Sequence, residues 1–128
     1  MIAAGIGCRS GVSADEVVAA VRAALAQFRA APADLAMLAT GETKRREAGI
    51  CAAAGELGIP LTVVGEGALR SAASATLSHS PRSLAATGLG SLAEAAALAA
   101  AGPEAVLLGP RLALGNVTCA LAEAGGRR

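Results

Sequence analysis

The chain has 128 residues, 54% of them hydrophobic, which suffices for one continuous core and is too little for two. Eleven Lys and Arg against ten Asp and Glu, with a mean hydropathy of +0.55, exclude a disordered polyelectrolyte and imply no polyanionic partner. Phe28 is the one aromatic residue, which removes the stacking platforms used to bind single-stranded nucleic acid.

Ile2 to Gly7 is a short apolar run closed by glycines, the pattern of a buried parallel strand. Ser13 and Glu16 have the spacing of a capping box. The helix that follows carries Val17, Val18, Val21, Ala24, Leu25 and Phe28 on one stripe and stops before Pro32. Leu35 to Ala39 is a second apolar run, followed by a polar stretch from Thr40 to Glu47. Ile50 to Leu57 has helical spacing and ends at Gly58. Leu61 to Val64 is rich in β-branched residues and predicts a third strand, and Gly65 to Leu69 a helical turn. The segment from 71 to 83 has the composition of a surface loop, with a fourth strand expected over Leu84 to Thr87. Ser91 and Glu94 form a second capping-box spacing, opening a helix that ends near Gly102-Pro103. The short connection between Val106–Leu108 and Val117–Leu121 predicts an antiparallel pair. The expectation is a single α/β domain over residues 1–128, layered around a mixed, mostly parallel central sheet with an antiparallel C-terminal strand pair.

Cys8, Cys51 and Cys119 are an odd count without a CxxC spacing, so neither a disulfide framework nor a zinc site is expected, and no metal. Free thiols in a reducing cytoplasm are the default. Cys51 is placed on the core stripe of its helix and Cys119 inside a strand. The start MIAAGIGC lacks the charged region of a signal peptide, and the alanine-rich run from Ser91 to Ala105 is too short to span a membrane. A soluble cytoplasmic protein without cofactor, membrane partner or nucleic-acid partner is expected.

The chemistry-bearing stretch is GIGCRSGVSADE, residues 5–16. A strand, a glycine turn and a capped helix N-terminus form a context that favours anions. The spacing is G-x-G-x-x-x-G rather than the dinucleotide fingerprint, and no Gly-Lys-Ser/Thr follows, so neither a Rossmann site nor a P-loop is present. On the residues alone, an anion loop and a plain strand-to-helix turn both remain open. Cys8, upstream of the helix N-terminus, is a candidate nucleophile if that setting lowers its pKa, and otherwise a packed thiol. His79 reads as a solvated loop residue. Lys44-Arg45-Arg46 reads as a solvated basic face.

GIGCRSGVSADE, a polar segment with Lys44, GLGSLAEAAALAAAG and GNVTCALAEA occur in the order that resembles the CobE/CbiG C-terminal domain family of cobalamin biosynthesis. The resemblance implies an α/β domain that handles a precorrin or another corrinoid, such as hydrogenobyrinic acid, and raises Lys44 above its basic neighbours. Such macrocycles carry a rim of acetate and propionate carboxylates. The implied ligand contacts are Gly7, Cys8, Arg9, Gly11, Ser13, Lys44, Gly88 and Ser91, with the 7–13 and 88–91 loops meeting at the carboxyl ends of the strands. Glu94 is assigned to the helix cap and Ser91 to the ligand side, with Asn116 a weaker candidate and His79 an alternative ligand to a corrinoid's cobalt. The alternatives are a hydrolase or lyase acting on a precorrin lactone through Cys8, Lys44 and Glu94, and a non-catalytic module that docks on other corrin-biosynthesis enzymes. The oligomeric state is left open.

Overall fold

The computed structural model describes residues 1–9, 11–44, 47–72 and 91–125. The elements in chain order are β1 (Ile2–Cys8), α1 (Ala14–Gln27), β2 (Leu35–Gly41), α2 (Ala48–Leu57), β3 (Leu61–Val64), α3 (Glu66–Ala72), α4 (Leu92–Ala101), β4 (Val106–Leu107), β5 (Leu112–Leu114) and β6 (Val117–Glu123). Single 3₁₀ turns occupy Pro32–Asp34 and Glu42–Lys44. Of the expected loop from 71 to 83, residues 71 and 72 instead complete α3; its remainder, the expected strand over Leu84–Thr87, His79, Arg45, Arg46 and Gly88 lie outside the described residues.

The strands form one mixed six-stranded sheet in the order β3-β2-β1-β6-β4, with β5 also on β6. β1, β2 and β3 pair in parallel, whereas β6 is antiparallel to β1, β4 and β5. Among the described residues, five strands therefore share one direction and β6 alone runs against them. This is the expected mixed α/β architecture, with the C-terminal antiparallel pairing in place. The pairing extends further than the sequence suggested, because β4 and β5 lie along the same edge of β6, with Gly109 and Pro110 interrupting the edge between them. The hairpin itself closes at Gly115-Asn116, where Gly115 takes φ 61°.

β1 sits in the middle of the sheet, and its alternation defines two unequal faces. Ile2, Ala4 and Ile6 join Leu38, Val117, Cys119 and Leu121 in the core beneath α1 and α2. Ala3, Gly5 and Gly7 face the other way, toward α4, where Ala93, Ala97 and Ala101 recur at four-residue spacing. Small residues on both sides let the α4 backbone lie directly on the strand. A Cβ on Gly5 would stand 2.7 Å from the Ala97 amide nitrogen and would run into the Ala93 carbonyl oxygen. The glycines at 5 and 7 are thus strand residues required by helix packing, and the turn begins only after Cys8.

Local chemistry sets the helix ends. Ser13 caps α1 with both halves of the capping box formed: its hydroxyl accepts from the Glu16 N–H at 3.1 Å and the Ser13 N–H donates to Glu16 Oε1 at 2.9 Å. α1 buries Val17, Ala20, Val21, Ala24 and Leu25, as its periodicity requires. α2 ends at Gly58 in the left-handed conformation. Its buried face is Gly49, Ile50, Ala53 and Ala54, and Cys51 is exposed, which corrects the expectation that Cys51 belongs to the core stripe. No helix among the described residues is long and apolar enough to cross a membrane.

Candidate functional site

The carboxyl ends of β1 and β2 bring most of the expected residues to one sheet edge. Cys8 is the last residue of β1 and is half-buried, and Arg9 follows it, exposed. The Arg9 N–H donates to the Asn116 carbonyl at 3.0 Å, which ties the start of the loop to the β5–β6 turn. Gly11 takes φ 85°, a conformation that disfavours side chains, and is exposed. Its N–H donates to Glu47 Oε1 at 3.1 Å. Lys44, partly exposed, ends the 3₁₀ turn after β2.

The Cys8 thiol lies close enough to Lys44, Glu47 and Glu16 to feel their charges. Burial pushes the Cys8 thiol above its ordinary value of 9.0; the Lys44 ammonium opposes the rise, and the carboxylates of Glu47 and Glu16 add to it. The expected activation by the helix N-terminus does not outweigh desolvation. Cys8 is therefore overwhelmingly a neutral thiol at pH 7. Cys119 is fully buried and pushed up to about 12 by desolvation alone.

The loop amides expected to receive a ligand carboxylate already hold carboxylates of the chain itself. Glu47 takes the Gly11 N–H and Glu16 takes the Ser13 N–H. What the edge leaves open are cationic side chains: neither Arg9 nor Lys44 is in an ion pair among the described residues, where Arg70–Glu66 on α3 is the salt bridge formed.

Two expected ligand residues have different surroundings from those anticipated. Gly7 is buried within β1, and its carbonyl accepts from the Thr118 hydroxyl at 3.1 Å. Ser91 is 1% exposed, and its hydroxyl accepts from the Glu94 N–H at 3.3 Å, capping α4 beside Gly7 and Gly41. Ser91, not the Glu94 carboxylate, is the cap. Glu94 is fully buried and accepts the Arg111 N–H at 2.8 Å, joining α4 to the break in the edge strand. Ser91 thus holds the cap that was expected of Glu94. Glu47 was missed because it lies at the end of a polar segment with no motif around it. Its one local signal is that a glutamate stands at the N-cap of α2 without giving that helix a side-chain bond. Among the described residues no group of three His, Cys, Asp or Glu is placed to hold a metal ion.

The fold and this edge define a layered α/β protein whose candidate site is a cation-bearing loop cluster at strand carboxyl ends, with no nucleotide fingerprint. The chain belongs to the cobalamin synthesis G C-terminus family, whose model matches residues 2–122. It is 36% identical over 118 residues to protein CobE of Sinorhizobium sp., covering 92% of this chain and 77% of that protein. The crystal structure of CobE, a protein from the cobalamin (vitamin B12) biosynthetic pathway, matches with a TM-score of 0.93 at 36% identity, covering 100% of this chain and 93% of that one. Cobalamin biosynthesis protein chiG from Agrobacterium tumefaciens str. C58 matches with a TM-score of 0.80 at 41% identity, over 98% of this chain and 99% of the other. A putative cobalamin biosynthesis protein G homolog from Sulfolobus solfataricus shares the fold at 22% identity with a TM-score of 0.70, over 97% of this chain and 37% of that chain. The chain is thus a cobalamin biosynthesis protein of the CobE/CbiG C-terminal family.

Proposed function

We propose that the chain binds a precorrin intermediate or a late corrin such as hydrogenobyrinic acid and carries it between enzymes of cobalamin biosynthesis without altering it. A corrin presents carboxylates around a flat ring, so a binder needs separated cations at the rim and an apolar surface for the ring. Arg9 and Lys44 are suited to the first task, because each can give a charge-assisted hydrogen bond to a carboxylate. The observation that carries this reading is their placement at one strand-end edge, outside any ion pair among the described residues, in a chain of this family. The raised pKa of Cys8 favours carriage over nucleophilic chemistry.

The test is a visible-absorption titration of the full chain with hydrogenobyrinic acid, followed by mass spectrometry of the recovered compound. Saturable binding with an unchanged mass is expected. A changed mass would replace the carrier with a hydrolase or lyase, and absence of binding would leave a docking role on other corrin enzymes.

A further inference from the structure

The contact between Gly11 and Glu47 joins two loops that are otherwise separate in sequence. The β1–α1 loop is fixed at its start by the Arg9–Asn116 hydrogen bond and at its end by the Ser13 capping box. Between these points Gly11 has no neighbour among the described residues within 4 Å of where a Cβ would be, and the glycine backbone is intrinsically free. Opposite it, Glu47 has the backbone of an N-cap, φ −72° and ψ 110°, yet its carboxylate crosses to the Gly11 N–H. Ser, Thr, Asp or Asn would cap α2 better. Two residues further on, Gly49 packs against the Val12 carbonyl group, with a Cβ there falling 2.9 Å from the Val12 carbonyl carbon and 3.0 Å from that of Ser13. The N-terminus of α2 is therefore pressed against this loop, and the glutamate reaches the loop at the expense of its own helix.

We propose that Glu47 is a positioning residue whose carboxylate, by holding the Gly11 N–H, fixes the loop bearing Arg9 against the turn bearing Lys44, so that the two cations keep one spacing. The proposal rests on the corrin-binding reading above for its consequence, and on the loop contact alone for its mechanism. It places a negative charge close to a site for an acidic ligand, and the structural gain outweighs that repulsion.

Three variants of the full chain separate the roles of this residue. Glu47→Gln keeps an acceptor oxygen at the same reach and removes the charge. Glu47→Asp is one methylene too short for Gly11 but is well suited to cap α2. Glu47→Ala removes both functions. The expected result is that exchange of the Gly11 amide with solvent, followed by NMR, speeds up about tenfold in the Asp and Ala variants and stays near wild type in Gln. Affinity for hydrogenobyrinic acid, the probe used, should fall about tenfold in Asp and Ala and be retained in Gln, while thermal stability of the Asp variant is unchanged or higher. A plain capping role would be rescued by Asp, and a purely electrostatic one would make Gln and Ala bind the acidic probe more tightly than wild type; either result overturns the proposal. Gly11 exchange unchanged in Glu47→Ala overturns it as well. If the wild-type chain fails to bind the probe, the carrier reading fails while the exchange comparison still decides the contact.

Discussion

Substituting Gly5 by alanine tests the packing that underlies the whole molecule. The added methyl would overlap the Ala93 carbonyl oxygen and stand 2.7 Å from the Ala97 amide nitrogen and 3.0 Å from the Ala93 carbonyl carbon, all backbone atoms of α4. No rotamer change relieves such a clash; α4 must move away from β1 as a body. It would drag the alanine interface of Ala93, Ala97 and Ala101 off the sheet. Backbone entropy alone would favour alanine by roughly 0.5 kcal/mol, so sterics decide the sign. Overpacking against backbone is expected to cost about 3 kcal/mol, lowering Tm by about 10 °C for a chain of this size. Gly7→Ala is the internal comparison. There the methyl meets the Thr118 hydroxyl at 2.8 Å, the end of a side chain that can rotate, and the loss is about 1 kcal/mol from the broken bond to the Gly7 carbonyl. Urea and thermal unfolding followed by circular dichroism measure both. Equal effects of the two substitutions, or a Gly5→Ala protein as stable as wild type, would refute the close approach of α4 to β1.

Other expectations follow from single contacts. The buried Thr40 hydroxyl donates to the Ile6 carbonyl at 2.9 Å, so Thr40→Val should destabilise the fold by about 1–2 kcal/mol in denaturant unfolding despite its matching shape. Peptide-resolved alkylation should give Cys8 a pH–rate midpoint above 9.0, moving higher still in Lys44→Met, and should leave Cys119 unmodified until the chain unfolds. Both thiols have folded pKa values above their unfolded ones, so the unfolded chain loses those protons first. Their contribution to stability is thus complete below about pH 9 and declines as pH rises beyond it, which urea midpoints on either side of that value will register. Arg9→Ala and Lys44→Ala should each weaken hydrogenobyrinic acid binding about tenfold at unchanged Tm, and undiminished affinity would remove that residue from the site.

Elements whose determinants are local were legible in the sequence. The Ser13–Glu16 box and the Gly58 terminus depend on residues within one helical turn, and both formed as their spacing requires. The order of strands and helices followed from apolar runs and their period. What depended on tertiary partners was not legible. Gly5 and Gly7 have the appearance of a loop, because only the alanine spacing of α4, nearly ninety residues away, shows that they admit a helix. Cys51 was assigned to the core since a short alanine-rich helix leaves its buried face ambiguous, and Gly49 and Ile50 took that face instead. Ser91-x-x-Glu94 has the same spacing as the first box, yet the Glu94 carboxylate found the Arg111 amide, seventeen residues on, and left the cap to Ser91. At the candidate site, Arg9 and Lys44 could be named from the resemblance. Glu47 could not, because its partner lies 36 residues away and its own segment shows no pattern.

The proposed site holds a corrin carboxylate rim at the carboxyl ends of β1 and β2. Amide chemical-shift mapping of the full chain, titrated with hydrogenobyrinic acid, tests it most directly. The perturbed amides are expected to cluster at Cys8, Arg9, Gly11, Lys44 and Glu47, with the opposite edge around Pro32–Asp34 and Glu104 unmoved. Saturable shifts centred on that opposite edge, or none anywhere at concentrations that saturate the absorption change, would contradict it.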